Sequence, residues 1–590
     1  MVMLVRIVSL LVANSLILGC SFLPAQQTGQ ADTDVSLTTT AQPHTHPASD
    51  ESVTARDDRP FPAPTLYSLL VAEVAGQRQQ YDVSLAHYLD QAKKTQDPAI
   101  AERATRIAQY LGSQPYTLEA AKVWVTSDPF EAQAHQVLAQ ALMKAGDFST
   151  ALDHLEAVLE LAGASQFDYL ALNAQQLNRS DKLNLLAQFE ALTNKHSDYA
   201  QLWMAQGSLL LQLEDYPAAL IALDKALELR EKYTAAALSK ARVLHKLNRA
   251  EEALVWLDDL HTSMPKHKGI GVLRARILID LKRYSEARAA FQFLAQQFND
   301  DNSIQLSLGL LHMELQEFDE AIATLSSLTL QHKVADEAYF YLARIAELQE
   351  DEPRALRNYR QVQQGRQFLA AQLKAAKLLI KHEGLLAARD FISHRRSEFP
   401  DYNIELVQLE VELLIKHDEH QAAYVLVDEA LQDSPNDTNL LYSRGLLAEK
   451  MGNLDQLETD LRHIISLQPE DAEAINALGY TLANKTDRID EALVLIQQAL
   501  ALSPENPAII DSLGWAYYRL GDLEQALELL QRAFSDFPDH EVAAHLGEVL
   551  WQLQRNEEAQ TIWQQGLEQK PDSPIIKETL ERFEIETPAK

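Results

Sequence analysis

Two histidines with a glutamate between them, in His540-Glu541-Val542-Ala543-Ala544-His545, are the nearest this chain comes to a metal-dependent hydrolytic centre. A zinc protease helix holds its ion with two histidines four residues apart on one face, and the glutamate beside the first acts as base. Here the spacing is five, which swings the second ring about 140° around the helix, so the two rings do not converge on one ion. His44 and His46 make the only His-x-His in the chain, but a metal site needs several converging ligands, and a pair on a stretch too poor in apolar bulk to fold is expected to be solvated. The adjacent acids Asp258-Asp259 and Asp300-Asp301 are expected at helix ends, where carboxylates cap backbone N–H groups. Neither a Gly-x-Ser-x-Gly elbow nor a phosphate-cradling Gly-x-x-x-x-Gly-Lys loop occurs. The sequence therefore predicts no catalytic residue, no metal and no cofactor.

Cys20 is the one nucleophile in a distinctive setting, and it is the only cysteine in 590 residues. Arg6 precedes the apolar run Ile7–Gly19, which is too short to span a bilayer and has the build of a secretory signal. The run ends Ile17-Leu18-Gly19-Cys20, which resembles the lipobox of bacterial lipoproteins, with Ile17 and Leu18 departing from its commonest form. That resemblance implies an acylated Cys20 as the mature N-terminus, and Ser21 in place of Asp implies the outer membrane, with the chain on its periplasmic face. Several acyl chains anchor stably where one does not. Residues 21–63 are rich in Gln, Thr, Ser, Asp and Pro with little apolar bulk. A segment of that composition cannot bury enough surface to fold, so it is expected to be a disordered tether.

The elements that must position any site are helical hairpins repeated about every 34 residues. Paired helices approach closely only where side chains are small. In the first helix of each hairpin the tight slot falls at Ala72, Ala108, Ala139, Asn173, Gly207, Ala241, Ala275, Gly309, Ala343, Ala376, Val411, Gly445, Gly479, Gly514 and Gly547. Twelve or thirteen residues later the second helix has Ser84, Ala120, Ala151, Leu185, Ala219, Ala253, Ala287, Ala321, Ala355, Ala388, Ala423, Leu457, Ala492, Ala526 and Ala559. Gly, Ala or Ser fills 26 of these 30 places. Asn173 and Val411 are expected to loosen the stack locally, Asn173 as a bend between two arms. Pro265, Pro400, Pro435, Pro469, Pro504, Pro538 and Pro571 close units, because proline cannot continue a helix.

Units such as Ala508–Tyr518 followed by Gly521–Leu527 are identified as tetratricopeptide repeats, the 34-residue helix–turn–helix family. An unbroken heptad seam, which a long coiled coil needs, is excluded by the Gly and Pro punctuation. The expected fold is all-α: a right-handed solenoid of about fifteen units, each burying its apolar face on its neighbours. The divisions are residues 1–19 as lipoprotein signal, 20–63 as lipidated Cys and tether, 64–131 as degenerate N-terminal repeat-like helices, 132–572 as the solenoid, and 573–590 as capping helix and tail. The capping helix is predicted over Pro574–Glu586, with Ile575, Ile576, Leu580 and Phe583 as its apolar stripe.

The net charge of −33, from 52 basic and 85 acidic residues, excludes a nucleic-acid footprint and attraction to an anionic lipid face. Function then falls to binding. The geometry of the repeat family implies that residues three before, one after and four after each first-helix slot line the concave groove, as helical spacing allows. Along the last units these are Tyr442 and Glu449, then Asn476 and Tyr480, then Asp511, Trp515 and Tyr518 with Arg519 beside them, then Glu548 and Trp551. Aromatics mixed with hydrogen-bonding groups match interaction hot spots; the competing expectation is that Trp515 and Trp551 only pack against neighbouring helices.

Thr65–Arg78 with Ala101–Ala108, and Asp511–Gly521 with Ala544–Trp551, resemble the start and end of a group of long tetratricopeptide outer-membrane lipoproteins, the LbcA-like adaptors. That resemblance implies a periplasmic carboxy-terminal processing protease as partner and cell-wall (peptidoglycan) hydrolases as the substrates presented to it. The alternative is a scaffold for an envelope assembly machine, in pilus biogenesis or polysaccharide export. A peptidoglycan-processing enzyme is disfavoured because no acid pair or metal cluster has a plausible spacing.

Overall fold

The computed structural model describes residues 61–585. The readings of Cys20, Ser21, His44 and His46 fall outside the described residues. Among the described residues there are 31 α-helices, two short 3-10 turns and no strand. They form two compact units, residues 61–338 and residues 339–585. Each is a stack of helical hairpins, the architecture that the repeat predicts.

The slots explain why the hairpins close. Every slot residue is buried except Asn173. A methyl group added at Gly514 would lie 2.7 Å from Leu530 Cγ, and one at Gly479 would lie 2.6 Å from Ile496 Cγ1. In both cases the obstructing side chain stands four residues beyond the slot of the second helix, so each first helix seats a large residue from the second. Where the second slot is large, as at Leu457, the first-helix partner is Gly445, and an added methyl there would meet Leu457 Cδ1 at 3.0 Å. The aliphatic layers between helices, such as Leu440, Ile475 and Ile496, are fully buried, and burial of one such side chain is worth about 1.5–3 kcal/mol.

Most turns follow one rule, from which the hairpins of Ala376 and Gly479 depart, with the positive φ at Gly384 eight residues after the slot and an extended Thr486 respectively. Seven residues after the first-helix slot the backbone takes a left-handed conformation, at Gly146, Glu214, Asn248, Lys282, Gln316, Glu350, Asp418, Gly452, Gly521 and Gln554. The next residue then donates its N–H five residues back, as Asp522 does to Tyr517 O at 3.0 Å and Arg555 to Leu550 O at 2.9 Å. This is the αL closure of a helix C-terminus. All seven unit-closing prolines lie two residues past the end of a second helix, from Pro265 after Ala250–Ser263 to Pro571 after Asn556–Gln569.

Three expectations are corrected. In the second hairpin, Pro98–Tyr110 and Gln114–Ser127, the left-handed residue is Gly112. The common turn register therefore puts the slots at Thr105 and Thr117, three residues before Ala108 and Ala120. Both threonines are buried, and each hydroxyl donates at 2.8 Å to a carbonyl four residues back, Ala101 O and Ser113 O. A satisfied hydroxyl is tolerated where a small apolar group was expected. Asp301 does cap its helix, accepting from Ser303 N and Ile304 N, but Asp258 and Asp259 lie inside Ala250–Ser263, where Asp258 pairs with Arg274. The capping helix spans Pro574–Arg582 rather than running on, ended by a positive φ at Glu584. Of the predicted stripe Ile576 and Leu580 are buried, with Thr579 beside them, while Ile575 and Phe583 are half-buried.

At Asn173 the first helix, Phe167–Asn173, is only seven residues long and passes into the 3-10 turn Ala174–Gln176. Ala171 and Ala174 are fully buried there, and Asn173 instead turns its side-chain N–H to Tyr169 O at 2.8 Å. Val411 sits buried within the regular helix Asn403–Lys416.

Candidate partner-binding face

Four helices of the second unit carry the groove residues: Ala472–Lys485, Pro507–Leu520, His540–Gln552 and the cap Pro574–Arg582. Each begins on a side-chain cap, from Asp471, Asn506, Asp539 and Ser573 respectively, and such a cap contributes about 1 kcal/mol. Gly479, Gly514 and Gly547 turn one side of these helices to the second helices, which leaves the residues around them to meet the next first helix.

His545 is the centre of what forms there. Its Nδ1 lies 3.0 Å from both carboxylate oxygens of Asp511, which stands one repeat earlier. With Nδ1–H donated to Asp511, Nε2 faces the Tyr480 hydroxyl at 3.3 Å. Trp515 stacks on the imidazole, with centroids 4.2 Å apart and planes at 25°. The Trp515 indole N–H donates to Asn484 Oδ1 at 3.3 Å, and Asn484 Nδ2 donates to the Tyr480 oxygen at 3.4 Å. Burial pulls the His545 imidazolium down, but the charge and hydrogen bond of Asp511, with Glu541 and Glu548 behind, outweigh it, and its pKa stands above the ordinary 6.5. Burial, with Asp511, Glu541 and Glu449 nearby, holds the Tyr480 phenol well above 10, so it stays protonated.

A second chain of contacts runs to the cap. The Tyr518 hydroxyl donates to Glu548 Oε1 at 2.9 Å, and Arg582 donates to Glu548 Oε2 at 2.6 Å. Glu548 is almost fully buried, and a buried carboxylate is tolerated when paired and hydrogen-bonded. Trp551 is half-buried with its ring 5.8 Å from Trp563. Arg519 is exposed and donates to Ala483 O at 2.8 Å and Asn484 O at 3.0 Å, closing the end of Ala472–Lys485. Asn476 is buried with its side-chain oxygen unpartnered. Tyr442 is also buried, and Glu449 is half-buried.

The eight groove residues are therefore placed in two classes. Asn476, Asp511, Trp515 and Glu548 are buried. Tyr480, Tyr518, Trp551 and Arg519 reach the surface from that braced layer. Sequence reasoning missed His545, Asn484 and Arg582. The available signal was spacing, since Asp511 to His545 and Glu548 to Arg582 are each 34 residues, one repeat.

The near-miss zinc pair points two ways: His545 to Asp511, and His540 to Ser573 Oγ at 3.1 Å and Lys570 Nζ at 3.4 Å. In the first unit Glu156, Glu160 and His196 bring three potential metal ligands within 4.8 Å of one another. The Lys195 ammonium already sits among them, 2.6 Å and 2.8 Å from the two glutamates. It supplies the positive charge that a metal ion would bring. No helix of the described residues is long and apolar enough to cross a membrane.

Small-slot hairpins stacked in register define a tetratricopeptide repeat protein, and comparison with known proteins agrees. Tetratricopeptide repeat families match residues 278–345, 483–546 and 517–582, and also 186–234 and 132–157. The family described as anaphase-promoting complex, cyclosome, subunit 3 matches residues 212–294. The chain is 39% identical over 494 residues to the TPR repeat-containing protein PA4667 of Pseudomonas aeruginosa, covering 83% of this chain and 82% of that protein. The chain belongs to that family of tetratricopeptide repeat proteins. Among solved structures, Naa15/Naa10 bound to HypK-THB is 15% identical across 88% of this chain and 99% of its own, with a TM-score of 0.35. The Cut9–Hcn1 tetramer is 16% identical across 88% and 96%, with a TM-score of 0.31. Repeats of this kind make the chain a protein–protein interaction scaffold of a generally non-catalytic class.

Proposed function

We propose that this scaffold is an outer-membrane lipoprotein adaptor that binds a periplasmic carboxy-terminal processing protease and presents protein substrates such as peptidoglycan hydrolases to it. The observation that carries the reading is the braced C-terminal face. Tyr480 is held by His545, Tyr518 by Glu548 and Arg519 by the carbonyls of Ala483 and Asn484, while Trp551 lies against Trp563, and braced aromatic and arginine anchors are what hot spots are made of. The resemblance of the terminal segments to lipoprotein adaptors gives the partner class, and Cys20 gives the anchor.

The test is recovery of the detergent-solubilised chain from envelope extract, with identification of what comes with it. A processing protease, together with faster cleavage of a cell-wall hydrolase when the chain is added, supports the adaptor. Pilus or polysaccharide-export subunits without such a protease replace it with the envelope scaffold. Cys20→Ala tests the anchor separately: the variant should leave the outer-membrane fraction, and unchanged fractionation overturns the lipid reading.

A further inference from the structure

The first unit begins with a helix turned inside out. In Ala63–Gln77 the buried residues are Thr65, Ser68, Ala72 and Ala75, and the helix packs on Tyr81–Thr95. The large apolar residues point the other way: Tyr67 is 70% exposed, Leu70 57%, Leu66 51% and Val74 44%. At about 100° per residue these four occupy roughly 100° of the helix, on the side opposite the buried four. Glu73, at the edge of that stripe, is engaged by the Tyr88 hydroxyl, which donates to it.

Later repeats show what such a stripe is built for. Tyr67, Leu70 and Val74 stand five before, two before and two after the slot Ala72. The same positions around Gly514 are Ile509, Ser512 and Ala516, and around Gly547 they are Val542, His545 and Val549. All six are buried, in helices that each meet the preceding first helix. In Ala63–Gln77 no described residue covers these positions. The cap Pro574–Arg582, by contrast, closes the last hairpin and buries Ile576 and Leu580, as the end units of a solenoid require.

An exposed stripe of this kind marks an interaction surface, and what precedes it in the chain argues for the occupant. Residues 21–60 hold only Phe22, Leu23, Val35, Leu37 and Val53 as large apolar residues, too few and too scattered to make a covering helix. On the lipoprotein reading, only residues 21–60 separate the acyl chains on Cys20 from Phe61, so the bilayer is held at high effective concentration around this helix. Aliphatic side chains with a tyrosine ring, and no charge among them, suit a helix that lies in a lipid interface.

We propose that Ala63–Gln77 docks on the lipid surface that carries the anchor, with Leu66, Tyr67, Leu70 and Val74 set into the boundary between headgroups and acyl chains. The docking rests on the acylation of Cys20 and not on the protease partner. Because no charged group of the stripe takes part, zwitterionic lipid suffices and added salt changes the contact little.

The experiment is fluorescence from the lipidated full chain in phosphatidylcholine vesicles with brominated acyl chains. With Cys20 acylated, Leu70→Cys supplies the one free thiol, and a polarity-sensitive dye is attached there. A second chain carries the dye at Val494→Cys, an exposed position of the second unit. The dye at position 70 should shift to the blue and be quenched by bromine, and the dye at position 494 should show neither. Adding Leu66→Gln/Tyr67→Gln/Val74→Gln to the Leu70→Cys chain should abolish both signals and leave the unfolding midpoint unchanged, since all three side chains are exposed. Equal signals at the two positions in a chain that floats with the vesicles, signals that survive the triple substitution, or a lowered midpoint overturn the docking and leave the anchor standing. A blue shift without bromine quenching, with two copies cross-linking through position 70, replaces the bilayer with a second copy of the chain. A chain that does not float with the vesicles overturns the anchor, and this docking with it.

Discussion

The His545 imidazole donates to Asp511 at 3.0 Å across a gap of one repeat, with Trp515 stacked over it. The contact joins two consecutive first helices, so it fixes the spacing and rotation of neighbouring hairpins as well as two side chains. Removing one partner of a buried charged pair costs about 3–5 kcal/mol, because the other is left uncompensated.

The pair makes stability depend on pH. The folded pKa of His545 is raised above 6.5, so the folded state holds the proton more tightly than the unfolded chain. The resulting stabilisation is complete below the unfolded value and is lost as pH rises through the folded one. Denaturant unfolding at a series of pH values should show this loss above about pH 6.5. Asp511→Asn should lower stability most at acidic pH and flatten that part of the profile. Identical pH slopes for the two proteins would contradict the assignment.

The slot glycines should rank by what faces them. Gly547 faces the Trp563 ring, Gly514 faces Leu530 Cγ at 2.7 Å, and the nearest atom to Gly445 is the far end of Leu457 at 3.0 Å. Substitution by Ala should therefore cost most at Gly547, less at Gly514 and least at Gly445. Overpacking of this kind typically costs about 1–3 kcal/mol. Unfolding midpoints in denaturant give the order, and a cost at Gly445 equal to that at Gly547 would refute the packing argument.

Left-handed turn residues should behave in the opposite sense. Lys282 and Gln554 have φ of 59° and 61°, which costs an L-residue roughly 1 kcal/mol that glycine does not incur. Lys282→Gly and Gln554→Gly should each raise stability by up to about 1 kcal/mol, less the added freedom of the unfolded chain. Gly521→Ala should lower it by a similar amount. Thermal unfolding of the three variants decides the point, and a loss at Lys282→Gly would show that its side chain matters more than its backbone.

Most of the architecture could be read from the chain because a close helix crossing admits only small residues, and that constraint recurs at fixed spacing. It misled where another residue met the same need. Thr105 and Thr117 fill their slots with hydroxyls bonded to their own helices, so the nearby Ala108 and Ala120 looked like the better register. Asp258 looked like a cap because paired acids suit helix ends, but it lies inside its helix and its partner Arg274 comes from the following helix. The face bearing Asp511, Trp515 and Tyr518 was legible from helical periodicity. The burial of Asp511 and Trp515 was not, because it depends on His545 in the next repeat, a contact that periodicity within one helix does not report.

The adaptor account is tested most directly by the rate at which a processing protease cleaves a peptidoglycan hydrolase as this chain is titrated in. The account predicts a saturable acceleration. Tyr518→Ala and Arg519→Ala should each raise the half-saturating concentration by roughly five-fold or more, the equivalent of about 1 kcal/mol at a hot spot. A cleavage rate independent of the chain, or full acceleration by both variants, would contradict it.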